Sequence, residues 1–344
     1  MERIALLLSP SSNRVYGRQS GALALAELAL AGRGALEQPA SGAAQEVIGG
    51  VDYLTFEVPE LTQRAATVLS NLSGTFAIFR ATGSGLVPVD KVPLTTLPDD
   101  LVTIQRYQGK TNEQFTRLLI NAAAFVSDLA PQYIDRRFCV FDPMCGRGTT
   151  LNQSLLLGWD AKGIEIDGKD VEAYAVFIER WLKDHRLKHS ISFSPLRRDG
   201  RLLAKRLEAT FAASKDQHRA GDVQRLDVWA ADTLEVEQFL RPRSVDLIVG
   251  DAPYGVRHGS RSQGGRLERS PLSLLEAAAP RWQGVLRRGG GMALAWNTKV
   301  AARGDATAIL EAAGFEVIEP PTQGSFLHAV DRSIERDVLL ARRP

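Results

Sequence analysis

The segment from Phe138 to Thr150, FCVFDPMCGRGTT, constrains the fold of this chain more than any other stretch. Its apolar start predicts a short strand that ends near Asp142, and a turn with two glycines, Gly146 and Gly148, leads from it into a helix. A glycine-rich turn at the carboxyl end of the first parallel strand is where open α/β sheets bind nucleotides, because glycine lets the backbone approach the ligand. The sequence therefore predicts an α/β fold with a cofactor at this turn.

The alternation of strand and helix continues along residues 101–344. Further strands are predicted at 161–166, 227–230, 245–249, 292–296 and 334–340. This order predicts a Rossmann-like domain, in which a mostly parallel, doubly wound sheet carries crossover helices. Residues 1–100 predict a small α+β domain ahead of it, with strands at 3–8, 52–58 and 75–80 and helices at 19–30 and 61–72. The proline-punctuated stretch 87–101 is interpreted as the linker.

The segment 180–226, between the second and third strands of the sheet, is basic. It carries 12 Lys or Arg and 5 Asp or Glu, a net charge of +7, whereas the whole chain is nearly balanced at +2. A polyanion would be contacted here, with Arg197, Arg198 and Arg201 as candidate contacts. The segment is expected to be an insertion or an elongated crossover, helical around Leu202–Ala213. Its charges could instead form a solvated helix face.

Two classes of cofactor compete for the glycine-rich turn. A dinucleotide fold requires a third glycine, so that the helix packs closely on the strand, but Leu151 stands at that position. Asp142 would repel a pyrophosphate, yet it suits the ammonium group of a methionine moiety. The residues therefore favour S-adenosylmethionine. The alternative is a structural turn whose aspartate caps a helix.

Acids after the next two strands are candidate contacts for the same cofactor. Glu165, at the end of the second strand, is placed to accept the ribose hydroxyls, with Asp167 as the alternative. Asp232, after the third strand, could accept the adenine amino group or could cap a helix. The turn contributes the remaining candidates, which are Asp142, Pro143, Cys145, Gly146, Gly148 and Thr149.

The fourth strand, VDLIVG, runs into the tetrapeptide Asp251-Ala252-Pro253-Tyr254. This tetrapeptide resembles the D/N/S-P-P-Y/F/W motif of class I methyltransferases that modify exocyclic amino groups of nucleobases. The resemblance implies that the Asp251 carboxylate and the Ala252 backbone carbonyl accept hydrogen bonds from the amine, and that Tyr254 stacks on a flipped-out base. Ala252 replaces the first proline of the motif, while Pro253 keeps the second. The alternative is a tight turn with a surface tyrosine.

The segment YQGKTN, residues 107–112, resembles the cofactor-contacting segment that precedes the glycine-rich loop in amino methyltransferases. The resemblance implies that Lys110 or Thr111 reaches the cofactor carboxylate; alternatively, Thr111 or Asn112 caps a helix predicted at 115–125. The order of these motifs, with DAPYGVR ending at Arg257, is similar to that of tRNA guanine-N2 methyltransferases with a THUMP-containing N-terminal region. That family implies that residues 1–100 bind RNA and makes Arg257 a candidate substrate contact.

The leading hypothesis is an enzyme that transfers a methyl group from S-adenosylmethionine to an exocyclic amine in RNA, with guanine N2 of tRNA preferred. One alternative is a DNA adenine-N6 or cytosine-N4 methyltransferase, and another is a non-catalytic RNA-binding protein that retains the fold. The two cysteines, Cys139 and Cys145, offer neither a disulfide framework nor a zinc site. No stretch is long enough to span a membrane. A cytoplasmic protein with no metal and a nucleic acid partner is expected.

Overall fold

Two β-sheets organise the chain, whose computed structural model describes residues 1–10, 14–107, 109–252, 270–322 and 325–344. The first sheet is antiparallel, in the spatial order β2-β3-β1-β4-β5. Its strands are β1 (Glu2–Leu8), β2 (Ser41–Ile48), β3 (Val51–Val58), β4 (Thr75–Thr82) and β5 (Gly85–Val89). The helices α1 (Arg14–Ala31) and α2 (Gln63–Ser70) pack against it.

Apolar side chains from neighbouring strands share one face of this sheet. Ile4 lies opposite Phe56 and Leu6 opposite Leu54, and all four side chains are buried. The predicted strands and helices of residues 1–100 are present, but β2 was not predicted because its mostly exposed side chains give no alternating apolar pattern. The linker prediction was wrong at its start, since residues 87–89 belong to β5.

The second sheet has the spatial order β13-β15-β12-β11-β6-β7-β10-β9-β8, with β14 paired to β15. Its strands are β6 (Cys139–Asp142), β7 (Asp160–Glu165), β8 (Lys188–Arg198), β9 (Arg201–Ala212), β10 (Gln224–Ala230), β11 (Val245–Asp251), β12 (Leu286–Asn297), β13 (Glu316–Val317), β14 (His328–Ala329) and β15 (Glu335–Arg342). The helices are α3 (Asp100–Thr103), α4 (Glu113–Val126), α5 (Thr149–Leu156), α6 (Gly168–Asp184), α7 (Lys215–Arg219), α8 (Pro271–Val285) and α9 (Arg303–Ala312). Short 3-10 helices span Ala130–Gln132 and Thr233–Gln238.

The central strands β12, β11, β6, β7 and β10 are parallel, which confirms the predicted Rossmann-like fold. The chain runs from β6 outward through β7 to β10 and then returns to β11 and β12 on the other side of β6. Ligands bind open α/β sheets at such a reversal, outside the carboxyl ends of the strands. The fold therefore places a binding cleft beyond the ends of β6 and β11.

Helix α4 lies between the two sheets. Its side chains from Phe115 to Val126 are all buried, in an apolar cluster that includes Leu23 of α1 and Ala293 of β12. The contact is also polar, because Asn121 of α4 donates to the buried carboxylate of Glu27 at 2.6 Å. The two sheets are thus joined through one helix. The division of the chain near residue 100 remains a proposal.

The helix predicted around Leu202–Ala213 was wrong, because these residues form β9 and pair with both β8 and β10. Leu203, Leu207 and Phe211 recur at a helical spacing of four, which suggested the helix. From Leu207 to Phe211, however, buried and more exposed side chains alternate as in a strand. Partner strands on both sides satisfy the backbone hydrogen bonds, so the β pattern prevails.

Among the described residues, no helix is long and apolar enough to cross a membrane.

Candidate active site

Three carboxylates lie at the carboxyl edge of the parallel strands. Asp142 is the last residue of β6, Glu165 of β7 and Asp251 of β11. The Asp142 carboxylate lies against the backbone of β11, since its Oδ1 is 3.3 Å from where a side chain at Gly250 would begin. The structure thus brings together the acids that the sequence placed at separate strand ends.

Asp142 is buried, with 3% of its surface exposed, and its Oδ1 accepts a hydrogen bond from the Met144 amide at 3.0 Å. Burial raises the pKa of Asp142 to about 7, and the negative charges of Glu165 and Asp251 add to this increase. An acid that is costly to ionise in this environment gains when a cation is bound beside it. The chemistry of this edge therefore suits a positively charged ligand.

The glycine-rich turn requires its glycines for backbone geometry. Gly146 and Gly148 have φ angles of +49° and +81°, in the left-handed region that favours glycine. A side chain at Gly148 would also begin 2.5 Å from the ring of Tyr174. Helix α5 starts at the next residue, Thr149, whose Oγ1 lies 2.7 Å from the Tyr107 hydroxyl.

Leu151 fits after the turn because the strand, rather than the helix, provides the small residue. At Gly163 of β7, a side chain would begin 2.7 Å from the Cys145 Sγ and 2.9 Å from a methyl group of Leu151. The turn and α5 can therefore pack closely on β7 without the third glycine of a dinucleotide fold.

Glu165 connects the glycine-rich turn to the start of α6. Its Oε2 accepts from the Gly146 amide and its Oε1 from the Asp167 amide, both at 2.9 Å. Burial raises the pKa of Glu165. Asp167 caps α6 through the Lys169 amide, so Glu165, rather than Asp167, bridges to the turn.

Asp232 also acts as a helix cap in the structure. Its Oδ1 accepts from the Leu234 amide at 2.9 Å, at the start of the 3-10 helix Thr233–Gln238. The capping alternative considered for Asp232 is therefore present. Its proposed contact with the adenine amino group remains a prediction.

Lys110 and Thr111, predicted as neighbours of the cofactor, have different partners. The Lys110 ammonium contacts the Val102 carbonyl and the Glu113 carboxylate. The Thr111 hydroxyl donates to Asp251 Oδ2 at 2.7 Å. Asn112, rather than Thr111, caps α4 by accepting from the Phe115 amide. Thr111 therefore connects the segment ahead of the glycine-rich turn to the acid that ends β11.

Arg336 is a site residue that the sequence did not reveal. It lies on β15, with 7% of its surface exposed, and its Nη2 is 3.2 Å from Asp251 Oδ2. Its guanidinium carbon lies 4.8 Å from the centre of the Phe115 ring. No local motif surrounds Arg336; only its position on a strand predicted at 334–340 was visible in the sequence.

Ala252 follows Asp251 and is buried, with its amide donating to the Ala295 carbonyl of β12 at 3.1 Å. It lines a small apolar cavity with Met144, Leu275, Trp282, Leu294 and Trp296, among other residues. Pro253, Tyr254 and Arg257 lie outside the described residues. The structure thus places the first half of the DAPY motif at the cleft.

The three candidate arginines of the basic segment lie at the turn between β8 and β9. Ala230, the last residue of β10, lies opposite Lys205 of β9, so residues 201–204 extend past the carboxyl end of β10. The hairpin turn is therefore on the same edge of the sheet as the three carboxylates. Arg198 donates to the Gln238 carbonyl at 3.0 Å and Arg197 to the Gly200 carbonyl at 3.2 Å.

A doubly wound sheet with a glycine-rich turn after its first strand and acids at neighbouring strand ends defines a class I methyltransferase. Residues 121–294 match the family described as RMKL-like, methyltransferase domain, and the chain belongs to that family. It is thus a methyltransferase that uses S-adenosylmethionine. This favours the enzyme over the non-catalytic alternative.

No curated protein matches the chain at the sequence level. Among solved structures, a TehB-like SAM-dependent methyltransferase from Corynebacterium glutamicum is 17% identical, covering 62% of this chain and 86% of that chain with a TM-score of 0.35. A putative RNA methyltransferase from Pyrococcus horikoshii is 16% identical over 72% and 90% of the two chains, with a TM-score of 0.38. A 16S rRNA N2 methyltransferase from T. thermophilus is 15% identical over 88% and 50%, with a TM-score of 0.36.

Proposed function

We propose that this methyltransferase modifies an exocyclic amino group of an RNA nucleobase, with guanine N2 of tRNA as its substrate. The observation that carries the proposal is the position of Asp251. Its carboxylate ends β11 beside the buried Asp142, and donors from Thr111 and Arg336 hold one of its oxygens. An oriented carboxylate next to the methyl donor is what an amine acceptor requires.

The acceptor chemistry explains why a carboxylate is needed. The lone pair of an exocyclic amine is delocalised into the ring, so the nitrogen is a poor nucleophile. Asp251 and the Ala252 carbonyl would each accept one N–H, which lets the nitrogen become tetrahedral. Asp251 would then take the proton that the methylated nitrogen releases. Tyr254 would hold the base by stacking, a role that comes from the motif resemblance.

We propose that the cofactor is held at the turn after β6. S-adenosylmethionine supplies an electrophilic methyl group on a sulfonium, and the carboxylates of this edge suit its positive charges. Asp142 would bind the ammonium and Glu165 the ribose hydroxyls, with Asp167 and Asp232 farther along the edge. Gly146 and Gly148 allow close approach of the ligand between Pro143, Cys145 and Thr149. Lys110 is paired with Glu113, which supports Thr111 as the functional residue of its segment.

We propose that the hairpin turn between β8 and β9 binds phosphates of the substrate. Arg197, Arg198 and Arg201 extend it past the end of β10, on the edge that carries the carboxylates. Arg257, outside the described residues, would add to this surface. RNA binding by residues 1–100 rests on the family resemblance, since this region has a net charge of −3.

The test is methyl transfer from tritiated S-adenosylmethionine to total tRNA, rRNA and DNA, followed by digestion to nucleosides. We expect label in tRNA as N2-methylguanosine. Asp251→Asn should abolish transfer, whereas Asp305→Asn, an exposed acid on α9, should not change it. Label in DNA as N6-methyladenine or N4-methylcytosine, with RNA unlabelled, would refute the RNA substrate.

A further inference from the structure

A basic side chain from the last strand of the chain reaches the acid of the proposed catalytic motif. Arg336 Nη2 lies 3.2 Å from Asp251 Oδ2, and Thr111 Oγ1 donates to the same oxygen at 2.7 Å. Arg336 is on β15, which is separated from β11 by β12, while Thr111 precedes α4. Two donors from distant parts of the sequence therefore converge on one carboxylate oxygen.

Arg336 is itself held in place by the aromatic residues beneath it. Its guanidinium lies over the fully buried ring of Phe115, at 4.8 Å, and that ring is 4.8 Å from the ring of His328. Burial lowers the pKa of His328, and the charge of Arg336 lowers it further, which favours a neutral imidazole here. The guanidinium is thus oriented against a planar apolar surface, a geometry suited to arginine rather than lysine.

The next residue of β15 provides a comparison. Asp337 is buried and pairs with Arg303 of α9 at 2.8 Å. Successive residues of a strand point to opposite faces, so this pair lies on the other face of the sheet from Arg336. The strand therefore carries two buried Arg–Asp pairs, of which only the Arg336 pair includes an acid of the cleft.

We propose that Arg336, together with Thr111, is a positioning residue that fixes the Asp251 carboxylate for its contact with the acceptor amine. The proposal rests on the function proposed above. A carboxylate on a short side chain can rotate, and two donors on one oxygen restrict that rotation. Methyl transfer needs the amine in line with the methyl group, so a displaced acceptor lowers the rate of the chemical step more than it lowers binding.

The test compares Arg336→Gln and Thr111→Val with the matched control Arg303→Gln. We expect kcat for methyl transfer to fall about 100-fold in Arg336→Gln, the size of a misplacement of about 1 Å. Thr111→Val should lose about tenfold, as for one hydrogen bond to a charged group. The KM for S-adenosylmethionine should not change in either variant. Arg336→Lys, which keeps the charge without the planar stack, should have an intermediate kcat.

Arg303→Gln should weaken folding to a similar extent as Arg336→Gln but keep the wild-type kcat, because its pair lies outside the cleft. If Arg336→Gln keeps the wild-type kcat, or if Arg303→Gln loses as much, Arg336 has no positioning role.

A double-mutant cycle tests the contact without turnover. Arg336→Gln and Asp251→Asn, alone and combined, should be coupled in the unfolding equilibrium constant by about tenfold. Coupling of this size supports the held carboxylate, and additive effects overturn it. If the wild-type protein methylates no nucleic acid, the proposed function fails, and the cycle still decides whether Arg336 holds Asp251.

Discussion

The protonation state of Asp142 should control the affinity for S-adenosylmethionine. Burial raises the pKa of this acid from 3.8 to about 7. At about 1.4 kcal/mol for each pKa unit, ionising the carboxyl costs about 4 kcal/mol more than in water. A bound ammonium or sulfonium group would offset this cost, so cofactor binding should release a proton wherever the acid is protonated beforehand.

The expected pH dependence follows from this linkage. Below pH 7 the ligand-free protein must lose a proton to bind, so the Kd should be about tenfold weaker at pH 6 than its plateau above pH 8. Isothermal titration calorimetry in buffers of different ionisation enthalpy should detect release of nearly one proton at pH 6. S-adenosylhomocysteine, which keeps the ammonium but lacks the sulfonium, should show the same profile if Asp142 faces the ammonium.

Asp142→Asn is the control for this prediction. It should bind the cofactor more weakly than the wild-type protein at pH 8, with little dependence on pH. A wild-type Kd that is constant between pH 5.5 and pH 8, or a variant that keeps the wild-type pH profile, would contradict the role given to Asp142.

The same shift in pKa affects folding. With its pKa raised in the folded state, Asp142 binds more protons folded than unfolded between pH 3.8 and about 7. Its contribution to the free energy of unfolding is therefore fully present below pH 3.8 and is lost as the pH rises towards 7. Saturating cofactor should remove this loss, so its stabilising effect on thermal unfolding should be larger at pH 8 than at pH 6.

Three further predictions concern the turn, the hairpin and the contact between the sheets. Gly148→Ala should lower the free energy of unfolding by at least about 1–3 kcal/mol and abolish cofactor binding, because it adds strain at positive φ and a clash with Tyr174; Gly221→Ala, at φ +72° with open space around it, should fold nearly normally and keep binding in the same assays. Replacing Arg197, Arg198 and Arg201 by Gln should weaken RNA binding and flatten its salt dependence by about 0.7–0.9 per lost phosphate contact, measured by filter binding, and the same change at Lys215 and Arg219 should have little effect. Asn121→Leu should lower the free energy of unfolding by about 1–3 kcal/mol in urea, because Glu27 and Tyr133 lose a buried partner, and an unchanged value would refute the importance of that network.

The carboxyl edge of the sheet could be predicted from the sequence because it depends on local order. Asp142, Glu165 and Asp251 each follow an apolar strand, and parallel strands end at one edge. Tertiary register, by contrast, leaves no local pattern. Arg336 lies 85 positions from Asp251 and meets it only because β15 pairs antiparallel with β12.

The basic segment failed for a related reason. Leu203, Leu207 and Phe211 are compatible with both a helix and a strand, and partner strands that are distant in the sequence decide between them. Lys110 shows another limit, since its charge suggested a ligand contact while a neighbouring acid, Glu113, already pairs with it.

Helix α4 determines how far the chain can be shortened. A helix buried on all sides needs neighbours on all sides, and α4 has one sheet on each flank. A fragment that begins at residue 101 would expose one apolar flank of this helix and leave Asn121 without Glu27. The methyltransferase sheet is therefore not a detachable module, and a truncated enzyme should aggregate rather than retain activity without its first hundred residues.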